Sequence, residues 1–276
     1  MAPDDEELLS EIRRLFKRPD YHPPTPPSAA LEVRSAAERQ DATIEDVVQL
    51  LERDALLAAE TLRLAQSPSF ASRIAPRTLH EAVMRLGLRT LVNVVWQAAL
   101  AAGVFKAKGY EEAMESLRRH STATAALARF VLQRAGQGAK AERAFLVALL
   151  HDVGVAALLA ALADGELEAG SLEEAAPMIE LAHEEAGLLL TRLWKLPVEL
   201  QLALSQHHGG APDDEVQQAL DVAQHLASAH ECALVLAGRR LDEIPEGRAQ
   251  AAASALGLDL DTLLEPTAEV VQAAVR

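Results

Sequence analysis

The sequence predicts an all-α protein, a two-lobed helical bundle, on three observations. Half of its 276 residues are hydrophobic and only 3% are aromatic, with Ala and Leu dominant and β-branched residues sparse. That composition favours helix over strand. Apolar residues recur at helical spacing, as in Ile44-Glu-Asp-Val-Val-Gln-Leu-Leu51. No alternation of period two persists for more than a few residues, and no fixed repeat stands out.

The elements follow in order. Residues 5–17 form a short amphipathic helix ending in Arg13-Arg14-Leu15-Phe16-Lys17, and the Pro-rich stretch His22-Pro-Pro-Thr-Pro-Pro27 breaks it. The helix packs at the domain edge in preference to touching a membrane surface. Ser28 is read as the N-cap of a helix to about Arg39. Helices at 44–54 and 55–65 come next, then a loop through Ser67-Pro-Ser-Phe70 and Ile74-Ala-Pro76. Gly87 stops a helix begun at Leu79, and another runs over 90–104. The outline at 77–96 resembles a helix-turn-helix, but Leu91-Val-Asn-Val-Val-Trp96 is too apolar to lie in a DNA groove and reads as core. A long helix covers 111–135 and ends at Gly136-Gln-Gly138; a second covers 141–162. Gly165 and Gly170 bracket a loop. Further helices cover 172–193, 198–207 and 216–237, and the tail at 248–275 holds two short amphipathic segments around Gly257.

This divides the chain into an N-terminal helix and linker (1–22), a main domain (23–240) and a C-terminal helical tail (241–276). The main domain comprises a helical lobe at 23–108 and a second lobe at 109–240. The formal net charge of -15 argues against nucleic-acid binding, which needs a basic face. It suits basic protein partners. The single cysteine, Cys232, can form no internal disulfide and fits a reducing cytoplasm. The acidic start is unlike a signal peptide, and no apolar run reads as a membrane span; 91–104 is too short and contains Asn93 and Gln97.

The chemistry concentrates in the second lobe. Phe145-Leu-Val-Ala-Leu-Leu-His151-Asp152-Val-Gly154 sets an adjacent His-Asp pair at the end of an apolar helical stretch. Burying such groups unpaired is costly, and a divalent metal would remove the cost because both are good ligands. His120 lies one helix earlier, and His183, His207 and His208 follow at the edges of later helices. The alternative is a metal-free polar knot held by hydrogen bonds. His22, His80 and His230 read as surface or loop residues, and His225 as a partner of Asp221 one turn before it.

Taken together, these segments resemble the HDOD domain, a branch of the HD phosphohydrolase superfamily related to HD-GYP. The resembling residues are Pro23-Pro24-Thr-Pro26, Ile44 to Asp54, Leu62 to Ser67 and Glu81 to Leu88 in the first lobe. In the second they are His120-Ser121, Phe145 to Gly154, His183-Glu-Glu-Ala-Gly187, Trp194-Lys-Leu-Pro197 and His207-His208. The resemblance implies an HD-superfamily-like fold and a divalent metal (iron, manganese or zinc). His120, His151, Asp152 and Asp221 would hold one ion, and His183, His207 and His208 the other, with Asp152 bridging.

Several departures from the catalytic pattern favour lost activity. Gln224 stands where the resemblance expects a distant Asp, and Asp221 lies about one turn earlier. Val155 replaces a phosphate-facing Lys, Ser116 replaces a carboxylate one turn before His120, and no Gly-Tyr-Pro motif follows. Two readings result. The first is a bacterial cytoplasmic regulatory module acting through signalling or regulatory proteins without catalysis. The second is a metal-dependent phosphohydrolase or phosphodiesterase acting on nucleotides or cyclic dinucleotides.

Overall fold

A computed structural model describes residues 3–39, 41–66, 75–205, 207–209, 214–241 and 243–275. Most of the loop expected at 67–76, together with Gln206, lies outside them. Among these residues the fold is all-helical, apart from one two-residue-by-two-residue hairpin. In chain order the first helices are α1 (Pro3–Leu15), α2 (Ser28–Glu38), α3 (Ile44–Leu51), α4 (Ala55–Ala65) and α5 (Leu79–Ala99), and a π-helical turn (Leu100–Val104) ends α5. Then come α6 (Glu111–Arg134), α7 (Gly138–Leu150), α8 (Val153–Ala163), α9 (Leu172–Leu193), α10 (Val198–Leu204) and α11 (Glu215–Ala229). The hairpin β1 (Val235–Leu236) and β2 (Arg239–Arg240) precedes α12 (Glu246–Ala255) and α13 (Leu264–Ala274).

The chain forms two compact units, one of residues 25–104 and one of residues 1–24 with 105–276. In the smaller unit α2, α3 and α4 pack on α5 through Val33, Val47, Leu51, Leu57, Val83 and Leu91. Local chemistry sets the helix starts. Thr43 and Asp46 form a reciprocal capping box, Asp54 accepts from the amides of Leu56 and Leu57, and Thr78 caps α5. Ser28 is not the cap but the first helical residue; Pro27 holds the cap position, with no side-chain capping bond. Gly87 interrupts α5 at φ 72°, a left-handed conformation that glycine adopts without strain. Past it, Leu91, Val94, Val95 and Trp96 are buried core.

In the larger unit α6 packs on α7 and α11, α8 on α9, and α1 on α9 through its buried Ile12 and Leu15. Arg13 of α1 is ion-paired with Glu185 of α9 at 2.9 Å. The C-terminal α12 packs on α11, and α13 on α6, so both belong to this unit. α8 is apolar all round, and every residue from Val153 to Leu162 except Ala160 is buried. A helix with no polar face is a core helix. The stretch 138–163 is long and apolar enough by composition to cross a membrane, which corrects the expectation that no run reaches that length. Its most apolar 18 residues are 89% buried inside the protein.

Two further sequence expectations need correction. The helix expected over 141–162 is two helices, with His151 and Asp152 in the turn between them. Adjacent residues on a continuous helix diverge by about 100°, so the break lets both side chains turn inward. The helix expected to reach 237 ends at Ala229. Ala237 and Gly238 follow at φ 50° and 79°, the two left-handed positions that close a tight hairpin. Its strands are too short to show an alternating pattern.

Candidate metal centre

Four elements carry the cluster: α6 supplies His120, the α7–α8 turn His151 and Asp152, α9 His183, and the segment after α10 His207 and His208. Exposure is 0% for His120, His151 and His207, 1% for Asp152 and 3% for His183; His208 is partly buried.

Backbone carbonyls fix the orientation of four rings. Nδ1 lies 2.8 Å from the Cys232 carbonyl in His120, 2.7 Å from that of Ala148 in His151, 2.8 Å from that of Glu180 in His183, and 2.8 Å from that of Leu204 in His207. A carbonyl only accepts, so each Nδ1 carries a hydrogen, and in the neutral ring Nε2 is left with its lone pair. Those lone pairs converge. His120 Nε2 is 3.1 Å from His151 Nε2, and His183 Nε2 is 3.3 Å from His207 Nε2 and 3.0 Å from His208 Nε2.

Asp152 joins the two sets. Its Oδ2 is 3.1 Å from His151 Nε2 and 3.6 Å from His120 Nε2. Its Oδ1 is 3.2 Å from His207 Nε2 and 3.7 Å from His183 Nε2. Oδ2 is buried and accepts no hydrogen bond of acceptable geometry among the described residues. Acceptors therefore face acceptors, an arrangement that a cation between them satisfies. The ligand atoms form two groups, each within 4.8 Å: His120, His151 and Asp152; and Asp152, His183, His207 and His208. This donor set fits divalent metal.

The protonation states agree. Burial pushes the Asp152 carboxyl up, and positive charge on His151 and His207, with hydrogen bonds from their rings, pushes it further down, so a cation at this place favours the carboxylate. Burial, reinforced by His207, pushes His208 down to about 3 and lowers His183. Imidazoles kept neutral, as burial favours at His183 and His208, are what metal ligation requires.

Six of the seven sequence candidates are thus brought together; Asp221 is not. Its carboxylate is gripped by Arg248 at 2.7 and 2.8 Å and by Gln217 at 3.0 Å, which also replaces the expected pairing with His225. Gln224 is fully buried, and neither amide atom has a partner among the described residues. Val155 is buried in the core, and Ser116 Oγ accepts from the Val235 amide at 3.4 Å.

Sequence reasoning missed the supports. Glu184 accepts from the His208 amide at 3.1 Å, and Gln217 donates to the His207 carbonyl at 2.8 Å. Glu184 had a signal in its adjacency to His183. Arg248 had none.

Comparison with known proteins places the fold. A protein of Treponema pallidum (strain Nichols), named only as uncharacterized, is 26% identical over 194 residues, 67% of this chain. The chain spans 37% of that relative's length. An HDOD domain protein of unknown function from Geobacter sulfurreducens superposes with a TM-score of 0.71 at 21% identity, covering 98% of this chain and 97% of its own. A Shewanella amazonensis SB2B structure, provisionally named a metal-dependent phosphohydrolase, gives 0.72 at 18% identity and covers both chains fully (100%). One from Marinobacter aquaeolei VT8, provisionally named a signal transduction protein, gives 0.64 at 21%, over 99% of this chain and 64% of its own. At these identities the structures speak to the fold. Residues 24–209 match the HDOD domain itself, and the chain belongs to the HDOD domain family.

Proposed function

We propose that this chain is a regulatory module of the bacterial cytoplasm that acts by engaging a signalling protein, and that its His/Asp cluster holds divalent metal in a closed site. The observation that carries this reading is burial: five of the six clustered ligands are at most 3% exposed. A catalytic metal keeps a coordination position open to substrate, whereas a structural one is enclosed by protein ligands. No cation is offered to a phosphate at the two places where one would be sought. Val155 is apolar and buried, and the Arg248 guanidinium is committed to Asp221 and to backbone carbonyls. The imidazole and carboxylate donors suit iron, manganese or zinc. The provisional name of the Marinobacter structure points the same way.

One observation favours metal-dependent phosphohydrolysis as a second reading. Asp152 turns one oxygen to each ligand group, the placement of a carboxylate shared by two ions. Bound metals would supply Lewis acidity and an activated water there. His120 and His151 would hold one ion, His183, His207 and His208 the other.

The test combines elemental mass spectrometry with a turnover assay. Protein purified without chelator or nickel resin is compared with Asp152→Ala, then loaded with Mn²⁺, Fe²⁺ or Zn²⁺ and offered bis(p-nitrophenyl) phosphate and a cyclic dinucleotide. We expect near-stoichiometric metal, lost in the variant, and no hydrolysis above the variant's. Fast hydrolysis confined to the wild type overturns the regulatory reading in favour of the hydrolase. Metal-free wild type overturns the closed metal site.

A further inference from the structure

We infer that Arg248, on the C-terminal helix α12, is a positioning residue for the half of the cluster built on His183, His207 and His208, and that α12 thereby sets the metal affinity of that half. This rests on the reading that the cluster binds metal.

Arg248 lies beyond residues 24–209, the part of the chain that carries the HDOD match. Its Nε and Nη2 grip Asp221 of α11 at 2.7 and 2.8 Å, a two-pronged arginine–carboxylate pair. The same guanidinium donates through Nη1 to the His208 carbonyl and through Nη2 to the His207 carbonyl at 3.3 Å. Gln217 completes the clamp by donating to the His207 carbonyl at 2.8 Å and to Asp221 Oδ1 at 3.0 Å.

The clamp acts where the fold needs it. His207 and His208 follow the end of α10 at Leu204, outside any helix, so no helical ladder holds their carbonyls. The Leu204 carbonyl fixes the His207 ring tautomer. Arg248, Gln217 and Glu184 hold the backbone from which both rings project. The other half is anchored separately, His120 on the Cys232 carbonyl and His151 on that of Ala148. Loss of Arg248 should therefore act on one half alone. Among the described residues every contact of its guanidinium is internal, which makes it a positioning group.

The experiment titrates the chelator-stripped, full-length protein with Zn²⁺ against a chromogenic chelator. His183→Ala and His120→Ala identify which affinity belongs to which half. Arg248→Ala is expected to weaken the component lost in His183→Ala by roughly 10- to 100-fold, the usual effect of removing a support behind a ligand. The component lost in His120→Ala stays within about twofold, because Arg248 touches none of the groups that hold that half and the effects of distant sites are nearly additive. Arg248→Lys keeps the charge without the planar fork and should recover part of the loss. It also carries the test if Arg248→Ala fails to fold, with circular dichroism monitoring both. Equal weakening of both components, or none, overturns the inference while leaving the metal centre standing. A wild type that takes up no Zn²⁺ overturns the metal centre and the inference together.

Discussion

Gly154 meets the backbone of His183 so closely that a Cβ on Gly154 would lie 1.9 Å from the His183 carbonyl oxygen. It would also lie 2.6 Å from the Gly187 amide nitrogen. Gly154 is the second residue of α8, just past Asp152, and His183 projects from α9. The spacing of these helices therefore also helps set the distance between the Asp152 carboxylate and the His183 imidazole. A glycine in the His-Asp segment is required by the close crossing of α8 and α9.

Gly154→Ala should accordingly be among the most damaging single-methyl changes in the chain. The opposing atoms are backbone and cannot rotate away, so α9 must shift. We expect a loss of about 3 kcal/mol or more, at or above the top of the usual overpacking range, with loss of metal. Gly187→Ala is the control: its Cβ would sit 3.5 Å from the Gly154 nitrogen, an ordinary contact. Alanine is the better helix former there, and stability should be unchanged or up to about 1 kcal/mol higher. Urea unfolding of both variants decides it, and equal damage from the two would contradict the close-crossing account.

Asp152→Asn should empty both halves of the cluster. The substitution keeps size and shape but removes the one carboxylate whose oxygens face both groups. Metal affinity should fall on the order of 100-fold or more, beyond the 10- to 100-fold of outer-shell changes. Elemental analysis after dialysis reads this directly. Retention of wild-type metal content would mean that the carboxylate does not bridge.

The helices and the ligand cluster were legible for different reasons. Strong periodicity and chain punctuation located most helices, with Gly87 and Gly136 marking real ends or breaks. The α7–α8 break was hidden because its flanks are uniformly apolar, so no change in periodicity marks the turn. The family resemblance matched His120, His151, Asp152, His183, His207 and His208 to ligand positions but left their convergence open, since contacts such as His120–His151, 31 residues apart, carry no local signal. Asp221 shows the limit. A carboxylate one turn from a ligand position looks interchangeable in sequence, but Arg248, 27 residues later, had already claimed it. Long-range ion pairs of this kind are decided by tertiary packing.

Acidification should destabilise the metal-free protein. Burial holds His208 at about 3 and lowers His183 from 6.5, whereas both titrate near 6.5 when unfolded. Between the folded and unfolded values the unfolded chain binds more protons, so stability falls as pH drops from about 7 towards about 3. Each group contributes up to about 1.4 kcal/mol per pH unit across its window, and the profile is flat with respect to them above pH 7. Urea unfolding of chelator-treated protein from pH 7.5 down to 4.5 measures the slope, and His208→Ala should flatten it. Stability that rises on acidification would show that these imidazoles are not held neutral.

Gln224→Leu should stabilise the metal-stripped protein. Gln224 is 0% exposed on α11, and neither its Nε2 nor its Oε1 has a partner among the described residues. A buried polar group in that state costs about 1–3 kcal/mol, and replacement by an apolar side chain of similar size recovers part of it. Leucine is also a slightly better helix former than glutamine. A gain of about 1 kcal/mol in urea unfolding is therefore expected, with circular dichroism unchanged. The same variant separates two roles for the amide. If the gain persists when the protein is loaded with Zn²⁺, the amide is an orphan in both states. If loading reverses the gain into a loss, the Gln224 oxygen takes part in the loaded centre, standing as a neutral ligand where the HDOD resemblance led us to expect a carboxylate. Stability lost in the stripped protein would instead show that the amide is already satisfied without metal.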